Sequence, residues 1–437
     1  MNKNLRFSGL FVRHLTSYKE KNFSSLIIRI GIIATALSVA VMIMASCLIS
    51  GFQNTISEKI FGFWGHIHIL HNSLINSYES EPINIHQDFY PSLEHSGPIK
   101  YRGPLEFAGI QIGDKMVDKS TYGKIRHIQA YAFKSAIMQA AGELEGIVLK
   151  GVDRHFDWVF MQKFILRGRP ITMNDTAASR DIIISEQTAA RLQIDTGKAL
   201  IINIVNNGEQ IKRRFNVCGI YRTGLEEYDR KFALTDIRVI QDILDWTPEQ
   251  VSGFEVFLED VRDVDVYTSY IYDNVVSDTL YTESIRQKLP NIFEWLELQS
   301  TNETLIFSLM ILVAIINLST ALLILIVERT NMIGILKSLG ATNWSVQLIF
   351  LRFSANILLK GLFWGNVIGI GLALLQRQFK LIKLSEKDYY LSYAPIHFDP
   401  VKLAMINGVT LLIVVLLLIV PSFLVKTITP VKAVGFK

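Results

Sequence analysis

The sequence predicts a membrane protein with four transmembrane α-helices and a large mixed α+β extracytoplasmic domain inserted between the first and second spans. Three observations support this fold class: four apolar runs of membrane-spanning length, an ordinary globular composition between the first two runs, and a basic N-terminal segment. Of the 437 residues, 50% are hydrophobic and 19% are charged, which is more apolar than a typical soluble domain. The apolar excess is concentrated at the two ends of the chain, as expected for membrane spans.

Each apolar run comes close to the roughly 20 residues that a helix needs to cross the hydrocarbon of a bilayer. The runs at 30–50, 305–327 and 403–425 contain no charged residue. The run at 358–375 carries Lys360 near one end, where its ammonium group can reach the interface along an aliphatic stem. We therefore predict transmembrane segments at 30–50, 303–327, 346–376 (with a cytoplasmic extension) and 401–426.

Basic residues beside the spans predict the orientation. The first 29 residues contain six lysines and arginines and one acidic residue, and such a segment favours the cytoplasmic side. The loop at 376–402 fits poorly because it holds five basic residues, but the first span usually decides the topology. We therefore expect cytoplasmic segments at 1–29, 328–345 and 427–437, and extracytoplasmic segments at 51–302 and 377–400.

The first span has one alternative interpretation, a cleaved signal sequence, which residues 44–47 loosely suggest. The charged region before this span is too long for a signal sequence, so an uncleaved span is favoured. Cys47 lies within the span, and a disulfide bond to Cys218 is therefore not expected.

The middle of the chain alternates between strand-like and helix-like stretches. Asp181–Ser185 predicts a short buried strand, and 186–192 predicts a helix after it. The Asn-Gly pair within 206–209 predicts a hairpin, and apolar residues at helical spacing predict a helix at 264–276. We expect a mixed domain in two lobes. The hairpin is more simply an ordinary solvent-exposed turn than a docking element.

The polar connection between the second and third spans predicts a short amphipathic helix. Met332, Ile335, Leu336 and Leu339 share one helical face, and Gly340 stands where a helix end favours a left-handed residue. Thr342 or Asn343 can then cap the next helix. On physical grounds alone, a helix lying on lipid is favoured over a helix that docks a protein.

Small and amide residues in the spans predict helix packing. Gly361, Gly365 and Gly369 repeat every four residues, which allows a close approach between helices. Packing within the chain is favoured over a subunit interface. Asn317 in the second span is a further candidate for pairing helices.

Enzyme chemistry is not indicated. The sequence has no P-loop, HExxH, GxSxG or CxxC motif, so no catalytic residue is assigned. His66 and His68 could share one face of a strand, but a metal site needs more ligands, and surface histidines are commoner. Lys360 is the lone charge in the four apolar runs and has no acidic partner there, which disfavours a proton relay. A net charge of +4 gives no argument for nucleic acid.

The segment 327–342 reads Val-Glu-Arg, two further residues, then Met-Ile-Gly-Ile-Leu-Lys-Ser-Leu-Gly-Ala-Thr. It resembles the coupling segment of ABC-transporter permeases of the FtsX/MacB/LolCE type, with Met332 in place of a usual acidic residue. Residues 314–318, 50–53 and 430–433 resemble motifs of the lipoprotein-releasing subgroup. The likeness covers both ends of the chain and the order of the spans.

This resemblance implies a permease without its own nucleotide site, in the bacterial inner membrane with its large domain in the periplasm. A separate ABC ATPase, which uses ATP and Mg, would bind the coupling segment, and a second permease copy or a paralogue would complete the pair. A lipoprotein would enter between the spans and pass to a periplasmic carrier. The chain itself is expected to bind no cofactor and no metal.

Three sets of residues follow from this interpretation. The expected ATPase contacts are Arg329, Met332, Ile333, Gly334, Ile335, Leu336, Lys337, Leu339 and Gly340. The expected substrate groove is formed by Ile43, Met44, Leu48, Gly51, Phe52, Ile306, Met310 and Val313, although without the resemblance these side chains would be assigned to bulk lipid or helix packing. The expected helix-packing residues are Asn317, Gly361, Gly365 and Gly369.

Two other functions remain open at this point. A MacB-like efflux permease would move drugs, peptides or glycolipids, and an FtsX-like regulator would control cell-wall hydrolysis and transport nothing. A fused ATPase is usual in the first class, and a much smaller extracytoplasmic domain is usual in the second. Lipoprotein release is therefore the favoured function.

Overall fold

The computed structural model describes residues 23–72, 81–107, 110–140, 142–174, 177–206 and 208–428. The described residues form two compact units. We call residues 23–55, 294–384 and 392–428 the helical unit, and residues 56–293 and 385–391 the sheet unit. The predicted N-terminal segment as far as residue 22, the hairpin residue Asn207 and the motif at 430–433 lie outside the described residues.

The helices of the described chain run as follows: α1 Phe23–Trp64, α2 Trp158–Met161, α3 Glu186–Arg191, α4 Glu226–Lys231, α5 Ile237–Leu244, α6 Val264–Asn274, α7 Ile285–Lys288, α8 Pro290–Glu328, α9 Thr330–Ser338, α10 Asn343–Phe379, α11 Glu386–Tyr389, α12 Pro400–Ser422 and α13 Leu424–Thr427. The strands are β1 Ile67–His71, β2 Ile83–Asn84, β3 Lys100–Phe107, β4 Ile110–Ser120, β5 Ile125–Ala140, β6 Glu143–Val152, β7 Ile165–Gly168, β8 Asp181–Ser185, β9 Ala199–Asn206, β10 Glu209–Tyr221, β11 Phe232–Asp236, β12 Gln250–Val251, β13 Gly253–Leu258 and β14 Leu280–Ser284.

The helical unit contains the membrane-spanning segments. Among the described residues, four helices are long and apolar enough to cross a membrane: Leu26–Trp64, Pro290–Glu328, Asn343–Phe379 and Pro400–Thr427. All strands of the sheet unit lie between the first and second of these helices in sequence, so the predicted fold class is confirmed. Each helix is longer than its apolar run, and α1 continues to Trp64 because no helix-breaking proline intervenes.

Local signals set the ends of these helices. The Thr342 hydroxyl accepts the Ser345 N–H at the start of α10, which confirms one of the two predicted caps. Asp399 accepts the N–H groups of Val401 and Lys402 at the start of α12. α9 ends in a reversal at Gly340, which has φ +90° as predicted.

The sheet unit is built on one ten-stranded mixed sheet with the order β14-β1-β13-β5-β6-β11-β8-β10-β7, and β9 pairs with both β10 and β5. Pairs β6/β11 and β8/β10 are parallel, and the other pairs in this sheet are antiparallel. The predicted strand β8, helices α3 and α6, and the β9–β10 hairpin are confirmed. The 16-residue strand β5 pairs with β13, β6 and β9 and so connects the two sides of this sheet. The expected division into two lobes stays a prediction.

Candidate functional site

The predicted coupling segment is the short helix α9 and the turn after it. The Leu339 N–H donates to Ile335 O, the Gly340 N–H to Lys337 O, and the Ala341 N–H to Leu336 O. These bonds close the last helical turn around a glycine in the left-handed region. The coupling segment therefore ends in this turn, and α10 begins soon after it at Asn343.

Helix α9 has one buried face and one exposed apolar face. Ile333 and Leu336 are buried in the core of the helical unit, and Met332 packs partly buried against that core. Ile335 is 55% exposed and Leu339 is 79% exposed. The predicted stripe is thus divided, since Leu336 faces inward while Ile335 and Leu339 form what we call the exposed pair. Gly334 is also buried.

Lys337 and Arg329, both expected at the rim of an ATPase contact, have other surroundings. Lys337 Nζ lies 2.6 Å from Val425 O and 2.6 Å from Ile428 O, at the end of α13. Arg329 precedes α9, and its Nε is buried with no hydrogen-bond partner among the described residues. Lys337 therefore points to another part of this chain, a partner that sequence spacing could not indicate.

The predicted groove residues do not all lie on one surface. Ile43 is fully buried, and its Cβ would be 3.0 Å from a Cβ placed on Gly369 of α10. Met44 and Met310 are partly buried and pack against the core of the helical unit. Leu48, Phe52 and Ile306 are also partly buried, and Val313 is 40% exposed. Ile43 therefore packs between helices and offers no surface to a ligand within this chain.

The expected mouth of the groove is closed around Gly51. A Cβ on Gly51 would lie 2.3 Å from Pro395 O, so only glycine fits this close approach. The neighbouring Phe52 contacts the edge of Trp295, with ring centroids 6.4 Å apart. Gln53 Nε2 donates to Ser300 Oγ at 2.7 Å. Gly51 is therefore closely packed in this structure, and its place at the mouth of a groove stays a prediction.

A charge cluster beside Gly51 escaped the sequence analysis. Lys402 Nζ of α12 lies 2.8 Å from Glu303 Oε2 of α8 and 3.2 Å from Ser50 Oγ of α1. The other oxygen, Glu303 Oε1, is buried without a hydrogen-bond partner in the described part of the chain. The signal available in the sequence was a pair of opposite charges at the first turn of two apolar runs. The ion pair joins α12 to α8, and the hydrogen bond to Ser50 adds α1.

The three glycines of the third long helix pack against the first. Thr35 Cβ, Val39 Cβ and Ile43 Cβ lie 2.6, 2.6 and 3.0 Å from Cβ atoms placed on Gly361, Gly365 and Gly369, respectively. Larger side chains would therefore separate α1 from α10.

Amide side chains also lie among the long helices. Asn317 is half-buried. Asn366 and Asn407, which were not predicted from the sequence, exchange hydrogen bonds of 2.7 and 3.0 Å between α10 and α12.

The sheet unit contains a buried ion pair at the end of α1. Lys150 Nζ lies 2.6 Å from Glu255 Oε1 and donates to Phe63 O at 2.9 Å. Both charged side chains are 0% exposed, and the ammonium group is 5.5 Å from the ring centre of Trp64. Burial lowers the pKa of Lys150 and raises the pKa of Glu255, while their mutual attraction opposes both shifts.

The histidines expected at the surface are instead in the core. His68 Nε2 contacts Trp64 O at 2.5 Å, and His66 Nδ1 accepts the Leu258 N–H at 3.3 Å. Burial lowers the pKa of both imidazoles to about 3. The surface assignment was wrong because strand β1 lies inside the sheet between β14 and β13.

Comparison with known proteins agrees with this architecture. The family model of the MacB-like periplasmic core domain matches residues 30–271, which is more than half of the chain. The chain belongs to the MacB-like periplasmic core domain family. The model of the FtsX-like permease C-terminal region matches residues 304–430. The resemblance inferred from the coupling segment is therefore confirmed.

Curated relatives of this MacB-like family member align along nearly its whole length. Lipoprotein-releasing system transmembrane protein LolC of Neisseria meningitidis serogroup B is 22% identical, covering 98% of each chain. The LolE protein of Haemophilus influenzae is 24% identical, covering 82% of this chain and 80% of the relative. Among solved structures, the extracellular domain of the noncanonic ABC-type transporter YknZ from Gram-positive bacteria is 16% identical, covering 37% of this chain and 82% of that chain, with a TM-score of 0.27.

Proposed function

We propose that this chain is the permease subunit of an ATP-driven lipoprotein-releasing ABC transporter in a bacterial inner membrane. The observation that carries the proposal is the end-to-end similarity to transmembrane proteins of lipoprotein-releasing systems, at 98% coverage of both chains in the Neisseria relative. The FtsX-like match over 304–430 supports a permease. The transporter extracts lipoproteins from the outer leaflet and delivers them towards the outer membrane.

A separate ABC ATPase binds α9 through the exposed pair and hydrolyses ATP with Mg. Ile335 and Leu339 are four residues apart on one helical face, and both are largely exposed. Burying two such side chains in a cleft stabilises a contact by several kcal/mol, about 1.5–3 for each. Ile335→Asp should therefore abolish co-purification of the ATPase, while Ser338→Ala on the same helix should leave it unchanged.

The orientation follows from the basic N-terminal segment. Residues 1–29, 328–345 and 427–437 face the cytoplasm, and residues 51–302 and 377–400 face the periplasm. This arrangement puts α9 on the side where ATP is available. A second permease, either another copy or a paralogue, completes the membrane portion, and a periplasmic carrier receives the lipoprotein.

The acyl chains of the substrate enter between the first and second spans. Met44, Leu48, Ile306, Met310 and Val313 are partly buried or exposed apolar side chains on α1 and α8. Methionines adapt to irregular ligands, and each acyl methylene contributes about 0.8 kcal/mol to membrane affinity. ATP hydrolysis supplies the work of lifting such an anchor out of the bilayer. Because Gly51 is packed against Pro395, the entrance opens only when these segments move.

Photo-crosslinking combined with depletion tests this function. A photoreactive residue at Met310 should capture lipoproteins, whereas one at the exposed Leu412 of α12 should capture phospholipid. Depletion of the protein should retain outer-membrane lipoproteins in the inner membrane. Normal lipoprotein sorting on depletion, with crosslinks at Met310 only to small amphiphiles, would instead assign the chain to efflux.

A further inference from the structure

The end of the fourth long helix exposes main-chain carbonyl groups. α12 contains Pro421 and ends at Ser422, and the short helix α13 follows after Phe423. The last carbonyl groups of a helix have no partner within the helix and must be satisfied from outside. These carbonyl groups lie in the helical unit, close in sequence to Ile428, the last described residue.

Two side chains from elsewhere in the helical unit satisfy these carbonyl groups. Lys337 Nζ of α9 donates to Val425 O and Ile428 O, each at 2.6 Å. Gln347 Nε2 of α10 donates to Ser422 O at 3.3 Å. A hydrogen bond from an ammonium group is roughly twice as strong as a neutral one, so Lys337 makes the stronger of the two attachments.

Apolar packing reinforces the contact. Val425 is 0% exposed and belongs to the same core cluster as Ile333 and Leu336 of α9. Leu424 and Ile428 pack against this cluster. α13 is therefore held on the inner side of α9, opposite to the exposed pair.

The chain connectivity gives this contact its importance. α9 is joined through the backbone to α8 on one side and to α10 on the other. α12 follows α10 only after a long connection, so it has no backbone link to α9. The direct route by which movement of α9 reaches the fourth span is therefore through side-chain contacts.

We propose that Lys337 is a positioning residue that fastens the coupling helix α9 to the end of the fourth span. The consequence of this role for transport rests on the proposed function. The role is distinct from a direct contact between Lys337 and the ATPase. Movement of α9 that follows ATP binding is passed to α12 through the two hydrogen bonds. Without them, the ATPase still binds and hydrolyses ATP, but the fourth span follows α9 less closely, because only the apolar packing and the contacts with α10 remain.

A spin label tests the attachment independently of any transport activity. The label is placed at Thr427, which is exposed at the end of α13, in a background lacking Cys47 and Cys218. Lys337→Met removes the donor at similar length and should give a more mobile spectrum. Lys337→Arg retains charge and donors and should resemble the parent, as should Ser338→Ala. An unchanged spectrum in Lys337→Met would overturn the proposal.

Reconstituted transporter tests the consequence. Lys337→Met should lower ATP-dependent substrate release by at least about tenfold, because it removes two hydrogen bonds from a charged group and the loss of one alone corresponds to about that factor. ATPase co-purification and ATP turnover should stay at parent levels, and Lys337→Arg should restore release. Loss of co-purification in Lys337→Met, as expected for Ile335→Asp, would assign Lys337 to the ATPase contact and refute the positioning role. If the parent protein binds no ATPase, the proposed function fails while the spin-label result still decides the attachment.

Discussion

Replacing Lys150 with methionine should lower the free energy of unfolding of the sheet unit by about 3–5 kcal/mol. The substitution preserves the length of the side chain but removes the ammonium group that contacts Glu255 Oε1 at 2.6 Å and Phe63 O at 2.9 Å. Glu255 is 0% exposed, so its carboxylate would stay buried without its cation. Among the described residues, Gln129 Nε2 would still donate to it at 2.7 Å, and His68 Nε2 lies 3.7 Å away. Most of the predicted cost comes from this unpaired carboxylate.

The variant can be measured by thermal unfolding of the full-length protein in detergent. For a unit of this size, a loss of 3–5 kcal/mol corresponds to a decrease in Tm of about 10 °C. Trp64 is buried beside Lys150, so its fluorescence should shift when this region unfolds. Lys198→Met at an exposed position of the same unit is the matched control and should change Tm by less than about 2 °C.

A second substitution separates charge from packing. Lys150→Met combined with Glu255→Gln removes the unpaired charge, so the double variant should be more stable than the single variant by about 2 kcal/mol. A single variant within about 1 kcal/mol of the parent, or strictly additive effects of the two substitutions, would show that the ion pair does not stabilise the end of α1.

Three further outcomes are expected. Gly365→Leu should destabilise the helical unit by at least about 2 kcal/mol, because a Cβ placed there would lie 2.6 Å from Val39 Cβ. A Cβ placed on Gly371 meets no atom of another described segment within 4 Å, so Gly371→Leu should be neutral when both variants are compared by Tm in detergent. The pKa of His66 is lowered to about 3 by burial, so the unfolded state binds more protons below about pH 6.5 and the free energy of unfolding falls as pH decreases. Between pH 7 and pH 5, the free energy of unfolding of His66→Gln should therefore fall by about 2 kcal/mol less than that of the parent, as measured by denaturant titration. A membrane-impermeant thiol reagent applied to spheroplasts should label Tyr272→Cys and not Ser338→Cys, and the opposite pattern would reverse the orientation.

The elements that the sequence predicted correctly are those set by local patterns. The four apolar helices follow from uninterrupted hydrophobicity, and the β9–β10 hairpin follows from one Asn-Gly pair. The Thr342 cap and the glycine turn at Gly340 are also decided within a few residues of each other. Such features need no knowledge of the rest of the fold.

The features that escaped prediction depend on residues far apart in the chain. Lys337 contacts carbonyl groups 88 and 91 positions away, and Glu303 pairs with a lysine 99 positions away. A periodic pattern also gives the face of a helix without saying which part of that face is covered. For this reason Leu336 and Ile335 were assigned to one surface, although the first is buried and the second is exposed.

The groove between the first and second spans remains a prediction for a related reason. Ile43 was chosen for its apolar character, but its position opposite Gly369 makes it a packing residue. Met44 and Met310 remain the best positions at which to look for the substrate, since both are at the margin of the core.

The most direct test of the proposed function is release of a fluorescent lipoprotein from proteoliposomes that contain this protein, its partner permease and the ATPase. Release should require ATP, a periplasmic carrier and an intact exposed pair, with Ile335→Asp inactive and Ser338→Ala active. ATP hydrolysis that moves small amphiphiles while the lipoprotein stays in the membrane, under conditions where carrier and partner permease are both present, would contradict it.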